Sequence, residues 1–341
     1  MSGHYSRRFS KPNFNLKIRG GEELFGRRQF KLRGDALDPS AMRTKLMCDI
    51  HNRLGLPSIA ANYALLYIND EFMGLYILTD AFKQSWIEYV YGEKNTSSLY
   101  KCEYCDLTYE KRRGFKNENK EATDKDKREL YQFLKTMTKA KSAADVASIF
   151  DINQFYKEIS IEFLTNGIDH FKNFHNYFIY KNPHNQKWIY LSYDFDLDFG
   201  SIEDTLSKIV TSSFDKYLKK PIIKNLIANN YYEFSETLEE IIFKVFNPAI
   251  LFPHIDEIKS FIRPYVKKDK IPNSDGNYPG RINIKDKTFY TMEQWESSTE
   301  FDESLMGLKQ YILLRYRYIC KEFCIRCDPD YFDGNASFIN Y

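Results

Sequence analysis

The chain has 341 residues, of which 43% are hydrophobic and 28% charged; this is a globular composition, long enough for a large core and two lobes. The net charge of +2, from 49 basic and 47 acidic residues, excludes a polybasic protein that attracts nucleic acid or anionic membrane through its overall charge. No apolar run approaches the length of a membrane span, and the start, MSGHYSRRF, has no apolar signal core. We therefore expect neither a membrane span nor a nucleic-acid partner.

The first part of the chain predicts short strands followed by a hairpin. FNLKIRG (14–20) and FKLR (30–33) alternate their side chains as strands do. NYALLYIN (62–69) and MGLYILTD (73–80) predict a hairpin that turns at Asn69-Asp70-Glu71. With one helix between them, these elements are similar in order to the small lobe of a protein kinase and to many other α+β domains.

A helix is predicted over LDPSAMRTKLMCDIHNRLGLP (37–57). Asp38 can cap its start, Pro39 suits its first turn, and Gly55 suits its exit. Apolar residues recur every four positions and form one stripe, namely Met42, Leu46, Ile50 and Leu54.

Residues 108–130 mix charges of both signs with few aliphatic side chains, which predicts an exposed insertion or loop that leads into a helix. The interleaved acids argue against a nucleic-acid patch. From residue 150 onward helices dominate, beginning with INQFYKEISIEFLTNG (152–167), which Asp151 can cap. A strand pair follows, NYFIYKN (176–182) and KWIYLSYDFD (187–196).

The sequence allows three interpretations of the six cysteines. Two CxxC pairs, Cys102 with Cys105 and Cys324 with Cys327, could supply a four-thiolate zinc site, but most of the chain separates them. The even count is also typical of structural disulfides, and scattered buried thiols are a third interpretation.

Polar residues flank the second strand pair at one end. An antiparallel pair brings the start of one strand beside the end of the next, so Asn176 is expected near Asp194 and Asp196, with Asp169 in the preceding loop. Magnesium prefers such hard oxygen ligands, and a cation relieves the repulsion between clustered carboxylates. Alternation along the strand would also place Asp194, Asp196 and Asp198 on one face, and a half-exposed amphipathic strand has the same pattern.

Several stretches in this order resemble the CotH (spore coat protein H) kinase-like family in its fungal form, an atypical branch of the protein-kinase fold. They cover most of the chain: SRRFSKPNFNLKI (6–18), LRGDALDPSAMRTKL (32–46), LYINDEFMGLYILTD (66–80), SLYK (98–101), HNYFIY (175–180) and YDFDLDFG (193–200). The resemblance implies an α+β, two-lobed fold with a β-rich N-lobe over residues 1–83 and a mainly helical C-lobe over 84–341. It also implies phosphoryl transfer from ATP, with Mg²⁺ or Mn²⁺, to Ser or Thr of a protein substrate.

The resemblance further implies a role for individual residues. The family pattern Trp-Asp-x-Asp-x-x-Phe-Gly maps its metal aspartate to Asp194, with Asp196 as its partner, so that the literal Asp198-Phe199-Gly200 is a coincidence of register. Asp169 maps to the catalytic aspartate that orients or deprotonates the hydroxyl, and Asn176 to the metal-side asparagine. The phosphates would be bound by basic residues of the small lobe, with five candidates: Arg7, Lys11, Lys17, Lys31 and Arg43.

The sequence departs from the family at Tyr193, where Trp is usual, and at Asp80, where many relatives have Glu. It also lacks a GxGxxG loop, so basic side chains must hold the phosphates.

Two other functions compete with the kinase. A domain of the same fold with catalysis lost would act as a surface adhesin or as an assembly module of secreted fungal complexes, which implies a secreted or cell-surface location. Asp194-Phe195-Asp196 also matches the DxD motif of a sugar-nucleotide glycosyltransferase, although the hairpin-rich start of the chain disfavours that class.

Overall fold

Two four-stranded antiparallel sheets organise the protein, whose computed structural model describes residues 8–34, 36–200, 206–302 and 307–332. The first sheet has the order β1-β2-β4-β3, with β1 Phe14–Lys17, β2 Gln29–Arg33, β3 Ala61–Ile68 and β4 Glu71–Asp80. The second has the order β6-β5-β7-β8, with β5 Leu99–Cys102, β6 Phe115–Asn117, β7 Tyr177–Lys181 and β8 Trp188–Ser192.

The helices lie mostly in the second half of the chain. They are α1 Arg43–Arg53, α2 Gln84–Tyr91, α3 Asp124–Lys139, α4 Ile152–Thr165, α5 Leu206–Val210, α6 Asp215–Leu218, α7 Pro221–Leu226, α8 Tyr231–Lys244, α9 Pro248–Asp269, α10 Met292–Ser297, α11 Leu308–Glu322 and α12 Pro329–Phe332. The α+β prediction is therefore confirmed. Throughout the described part of the chain, no helix combines the length and the apolar character that a bilayer crossing requires.

The predicted hairpin is confirmed as the antiparallel pair β3 and β4. Asn69 and Asp70 form its turn with φ of +49° and +66°, in the left-handed region that their short polar side chains tolerate. Strand β2 joins the hairpin by pairing with β4, with Lys31 opposite Thr79. β2 is therefore an interior strand, hydrogen-bonded to β1 on one side and to β4 on the other.

Helix α1 starts later than its sequence predicts. The predicted start at Asp38-Pro39 is wrong, because the chain first makes a tight turn in which Asp38 Oδ2 accepts hydrogen bonds from the backbone N–H groups of Met42 and Arg43, each at 2.8 Å. Asp38 still satisfies the first amides of the helix, but from outside it. The predicted apolar stripe packs inward, and Gly55 leaves the helix with a φ of +65°.

Helix α4 forms the centre of the second half, as its sequence predicts. Asp151 accepts a hydrogen bond from Gln154 N at 3.1 Å and caps the start. Phe155, Ile159 and Phe163 are fully buried, and the helix packs against α8 and β8. The second sheet is thereby fixed to the helical part of the protein.

The charged segment 108–130 is only partly a loop. It contains β6, which pairs with β5, before α3 begins at Asp124. A strand of three residues with a single buried apolar side chain, Phe115, is too short for alternation to reveal it.

The cysteines form two disulfides in a pattern that only partly follows the CxxC spacing. Cys102 is bonded to Cys105, whereas Cys327 is bonded to Cys320 rather than to Cys324. Cys48 is a buried thiol and Cys324 an exposed one. These bonds leave no set of four thiolates for the zinc alternative.

Candidate active site

A cleft of about 750 Å³ opens between the two sheets. The first sheet lines it with β1 and β2, and the connection 79–84 from β4 to α2 forms its back. The second sheet contributes Lys101, Phe178 and the residues that follow β8. Its basic side chains are Lys17, Lys31, Arg33, Lys83, Lys101 and Lys120. The cleft thus combines many cations with an apolar lining that includes Leu16, Phe30, Ile59 and Phe82.

The floor of the cleft is the point where β8 ends. The predicted strand to residue 196 is wrong, because β8 stops at Ser192 and Phe195–Leu197 form a 3-10 turn. Asp194 enters this turn with a φ of +75°. The three aspartates therefore do not share one face: Asp194 and Asp196 keep side-chain exposures of 31% and 22%, whereas Asp198 is completely buried.

Arg33 connects the two exposed aspartates. Its Nη1 pairs with Asp194 Oδ1, and its Nη2 lies 2.9 Å from Asp196 Oδ2. The Arg33 side chain is only 7% exposed, so its guanidinium is largely shielded from water. One planar guanidinium reaches both acids, which shows that the two carboxylates converge on a single cationic group.

Charge and burial shift the pKa values of the cleft residues. Partial burial alone would raise the pKa of Asp194, but the positive charges of Arg33 and Lys31 and the hydrogen bond from Arg33 outweigh it and lower this pKa to about 2. Desolvation lowers the pKa of Lys31 to about 8, against the opposing attraction of Asp194. The Lys31 ammonium also lies 4.8 Å from the centre of the Tyr193 ring. At neutral pH the floor therefore carries ionised carboxylate and ammonium groups side by side.

Asn176 and Asp169 meet beside this floor. Tyr193 N donates to Asn176 O at 3.0 Å, which extends the β7–β8 pairing and brings Asn176 next to the residue before Asp194. Asn176 Nδ2 donates to Asp169 Oδ2 at 2.8 Å. Asp169 keeps a side-chain exposure of 37%, and the Nδ1 atom of His175 lies 3.7 Å from the same oxygen. The proximity of that carboxylate raises the pKa of His175.

The literal Asp198-Phe199-Gly200 tripeptide is buried and is not among the residues that line the cleft. The carboxylate of Asp198 accepts hydrogen bonds from Thr165 Oγ1 at 3.0 Å and from His170 Nε2 at 3.1 Å. Its backbone oxygen accepts one from Arg43 Nε at 3.0 Å. Asp198 is thus held by hydrogen bonds inside the fold, away from the residues that line the cleft.

The basic residues proposed for the phosphates separate into different places. Lys17 and Lys31 line the cleft. Lys11 does not, because its buried ammonium lies 2.5 Å from Asp269 Oδ1 at the end of α9. Arg43 pairs with Asp38 at 2.6 Å at the start of α1. Arg7 lies outside the described residues.

Arg33 was missed by the sequence-based prediction, although a signal was available. Lys31 and Arg33 stand two positions apart on one strand, so their side chains lie on the same face. An alternating pair of basic residues on a strand next to a predicted carboxylate cluster would have marked both for the same site.

The chain is similar to known proteins over most of its length. The model of the family described as CotH kinase protein matches residues 1–319. The spore coat protein homolog 1 of Rhizopus delemar is 27% identical over 276 residues, which cover 73% of this chain and 44% of that protein. The invasin CotH3 of the same fungus is 26% identical, with 93% of this chain and 57% of that protein covered.

A bacterial relative extends the comparison. The inner spore coat protein H of Bacillus subtilis is 21% identical over 293 residues, which cover 80% of this chain and 78% of that protein. The chain spans about half the length of the two fungal relatives, at 44% and 57%. Since the family model covers nearly the whole chain, this protein belongs to the CotH kinase protein family.

Proposed function

We propose that this protein is an atypical Ser/Thr protein kinase that transfers the terminal phosphoryl group of ATP to a hydroxyl of a protein substrate. The observation that carries the proposal is the convergence of Asp194 and Asp196 on the guanidinium of Arg33, where Arg33 and Asp194 line the cleft. Family membership supports the kinase-like, two-lobed interpretation of the two sheets, with the cleft between the lobes. The cleft also offers apolar surface for a base and cations for phosphates.

The donor set fits a magnesium or manganese ion. Asp194 and Asp196 would hold it, with Asn176 beside them, and phosphate oxygens and water would complete its ligands. Among the described residues no three His, Cys, Asp or Glu side chains group closely enough to hold a metal by themselves. Magnesium is usually bound in this way, through one or two carboxylates together with substrate phosphates. When bound, the ion would neutralise charge on the transferred phosphoryl group and on the leaving group.

The residues of the chain itself would position the reacting groups. Asp169 is exposed enough to accept the proton of a substrate hydroxyl, and its hydrogen bond from Asn176 fixes its orientation. Lys31 and Lys17 would place positive charge against the phosphates from the first sheet. Phosphoryl transfer depends mainly on such positioning and charge stabilisation.

Removal of the Asp194 carboxylate tests the proposal. We expect Asp194→Ala to weaken Mg²⁺-dependent ATP binding at least about tenfold in calorimetry and to abolish transfer of labelled phosphate to an acceptor protein. Asp124→Ala, on the exposed start of α3, is the matched control and should bind as the wild type does. Equal binding of Mg²⁺-ATP by wild type and Asp194→Ala would contradict the assignment.

Lys31 should make nucleotide binding depend on pH. Since its pKa is lowered to about 8, Lys31 is positively charged below that pH and loses its charge above it. We expect the affinity for ATP in EDTA to fall roughly fivefold as the pH rises from about 7 to about 9. Lys31→Arg keeps its charge over this range and should remove the dependence, which fluorescence titration with an ATP analogue would measure. A wild-type profile that stays flat would exclude Lys31 from the phosphate site.

The names of the relatives favour one alternative. They include invasins and spore coat proteins, which are names of surface proteins, and they support a secreted or cell-surface location for this chain as well. A domain that has lost catalysis would serve there as an adhesin or as part of an extracellular assembly. Failure of the wild type to bind ATP with Mg²⁺ or Mn²⁺ would favour this alternative.

A further inference from the structure

A guanidinium already pairs with one oxygen of each carboxylate that would hold the proposed cation. Two nitrogens of Arg33 each pair with a different acid, Asp194 and Asp196. A divalent ion cannot take the same oxygens unless the guanidinium moves away. Because the Arg33 side chain is 7% exposed, water can only poorly replace the two acids as partners of the guanidinium. A bare cation therefore meets direct competition at this position.

The cleft shows what could replace those acidic partners. Arg33 lines it together with Lys31 on the same face of β2, and Lys17 lies on the neighbouring strand. A guanidinium binds two phosphate oxygens as readily as two carboxylate oxygens. A triphosphate that enters the cleft would thus offer Arg33 new acceptors and bring the negative charge that a divalent ion requires.

We propose that Arg33 couples cation binding to nucleotide binding: it holds Asp194 and Asp196 in the unliganded protein and transfers to the phosphates when a nucleoside triphosphate enters. This transfer releases the two carboxylates for the divalent ion. The inference rests on the proposed phosphotransfer function and goes beyond it, because it explains why the two ligands would bind together.

The coupling predicts opposite changes in two affinities. In Arg33→Gln, Mn²⁺ alone should bind about tenfold more tightly, because the competing cation is gone. ATP in EDTA should bind about tenfold more weakly, because a phosphate partner is lost. Electron paramagnetic resonance of free Mn²⁺ would measure the affinity for Mn²⁺, and fluorescence titration of an ATP analogue would measure the affinity for the nucleotide. A merely structural role for Arg33 would weaken both affinities together.

Two further variants complete the experiment. Arg53→Gln, on the exposed end of α1, is the matched control and should change neither affinity. Arg33→Lys keeps the positive charge but not the planar guanidinium. It should also strengthen Mn²⁺ binding and weaken ATP binding, by smaller factors than Arg33→Gln. It provides the test if the glutamine variant does not fold.

The outcomes separate this inference from the proposed function. A wild type that binds ATP with Mn²⁺, while both Arg33 variants keep wild-type affinities or lose both, overturns the coupling alone. A wild type that binds no nucleotide overturns the coupling and the kinase proposal together.

Discussion

Asp169→Asn should lower phosphoryl transfer by about a hundredfold to ten-thousandfold while leaving the affinity for Mg²⁺-ATP nearly unchanged. The amide has nearly the shape of the carboxylate and keeps an oxygen to accept from Asn176 Nδ2, which now lies 2.8 Å from Asp169 Oδ2. It lacks the negative charge that would orient and accept the proton of the substrate hydroxyl. Single-turnover transfer of labelled phosphate, with calorimetry on the same samples, would separate chemistry from binding.

The pattern of loss distinguishes Asp169 from the cation-binding residues. Asp194→Ala should lose binding and transfer together, whereas Asp169→Asn should lose transfer alone. Asp124→Asn provides a control for the same chemical change on the protein surface. If Asp169→Asn transferred phosphate at the wild-type rate, the hydroxyl would have to be activated by another group, and the role given to Asp169 would be wrong.

Asp269→Ala should lower the free energy of unfolding by about 3–5 kcal/mol, the usual cost of removing one member of a buried ion pair. Asp269 Oδ1 accepts hydrogen bonds from Lys11 Nζ at 2.5 Å and from Leu75 N at 2.8 Å. The Arg281 guanidinium lies 3.5 Å from its other carboxylate oxygen. Without the acid, Lys11 and Arg281 lose a carboxylate partner in a site where their side chains are only 5% and 15% exposed. Chemical denaturation of the wild type and the variant would measure the difference.

A double variant would show whether the loss comes from the unpaired charge. Replacing both partners, as Lys11→Met with Asp269→Leu, removes the buried ammonium together with the acid and should recover part of the stability. Lys45→Ala, which breaks the more exposed pair between Lys45 and Asp49 on α1, is expected to cost no more than about 1 kcal/mol. A loss of less than about 1 kcal/mol for Asp269→Ala would show that the pair is not a structural tie.

This ion pair also explains why one predicted phosphate-binding residue lies elsewhere. Lys11 stands near the start of the chain and Asp269 ends α9, at a separation of 258 residues. The Lys11 ammonium also donates to Leu75 O of β4 at 2.8 Å. The contact joins the N-terminal segment, the first sheet and α9. Lys11, which the sequence suggested as a phosphate contact, is therefore part of a structural ion pair with Asp269.

Local sequence was sufficient for the elements whose signals lie within a few residues. The β3–β4 hairpin, the capped helix α4 and the β7–β8 pair all follow from periodicity and turn residues, because backbone preference and side-chain alternation act between near neighbours. The same reasoning predicted that Asn176 and Asp169 would lie near the end of the second strand pair. The hydrogen bonds from Tyr193 to Asn176 and from Asn176 to Asp169 agree with that prediction.

Only the tertiary structure decided which charges meet. Arg33 and Asp194 are 161 residues apart, and they meet because the end of β2 lies beside the turn that follows β8. The strand that would have aligned three aspartates ends early, since Phe195 packs against the rings of His51 and His170 and Asp198 accepts hydrogen bonds from Thr165 and His170. Periodicity indicates whether a residue prefers burial or exposure, but it does not indicate which distant residue the side chain will contact.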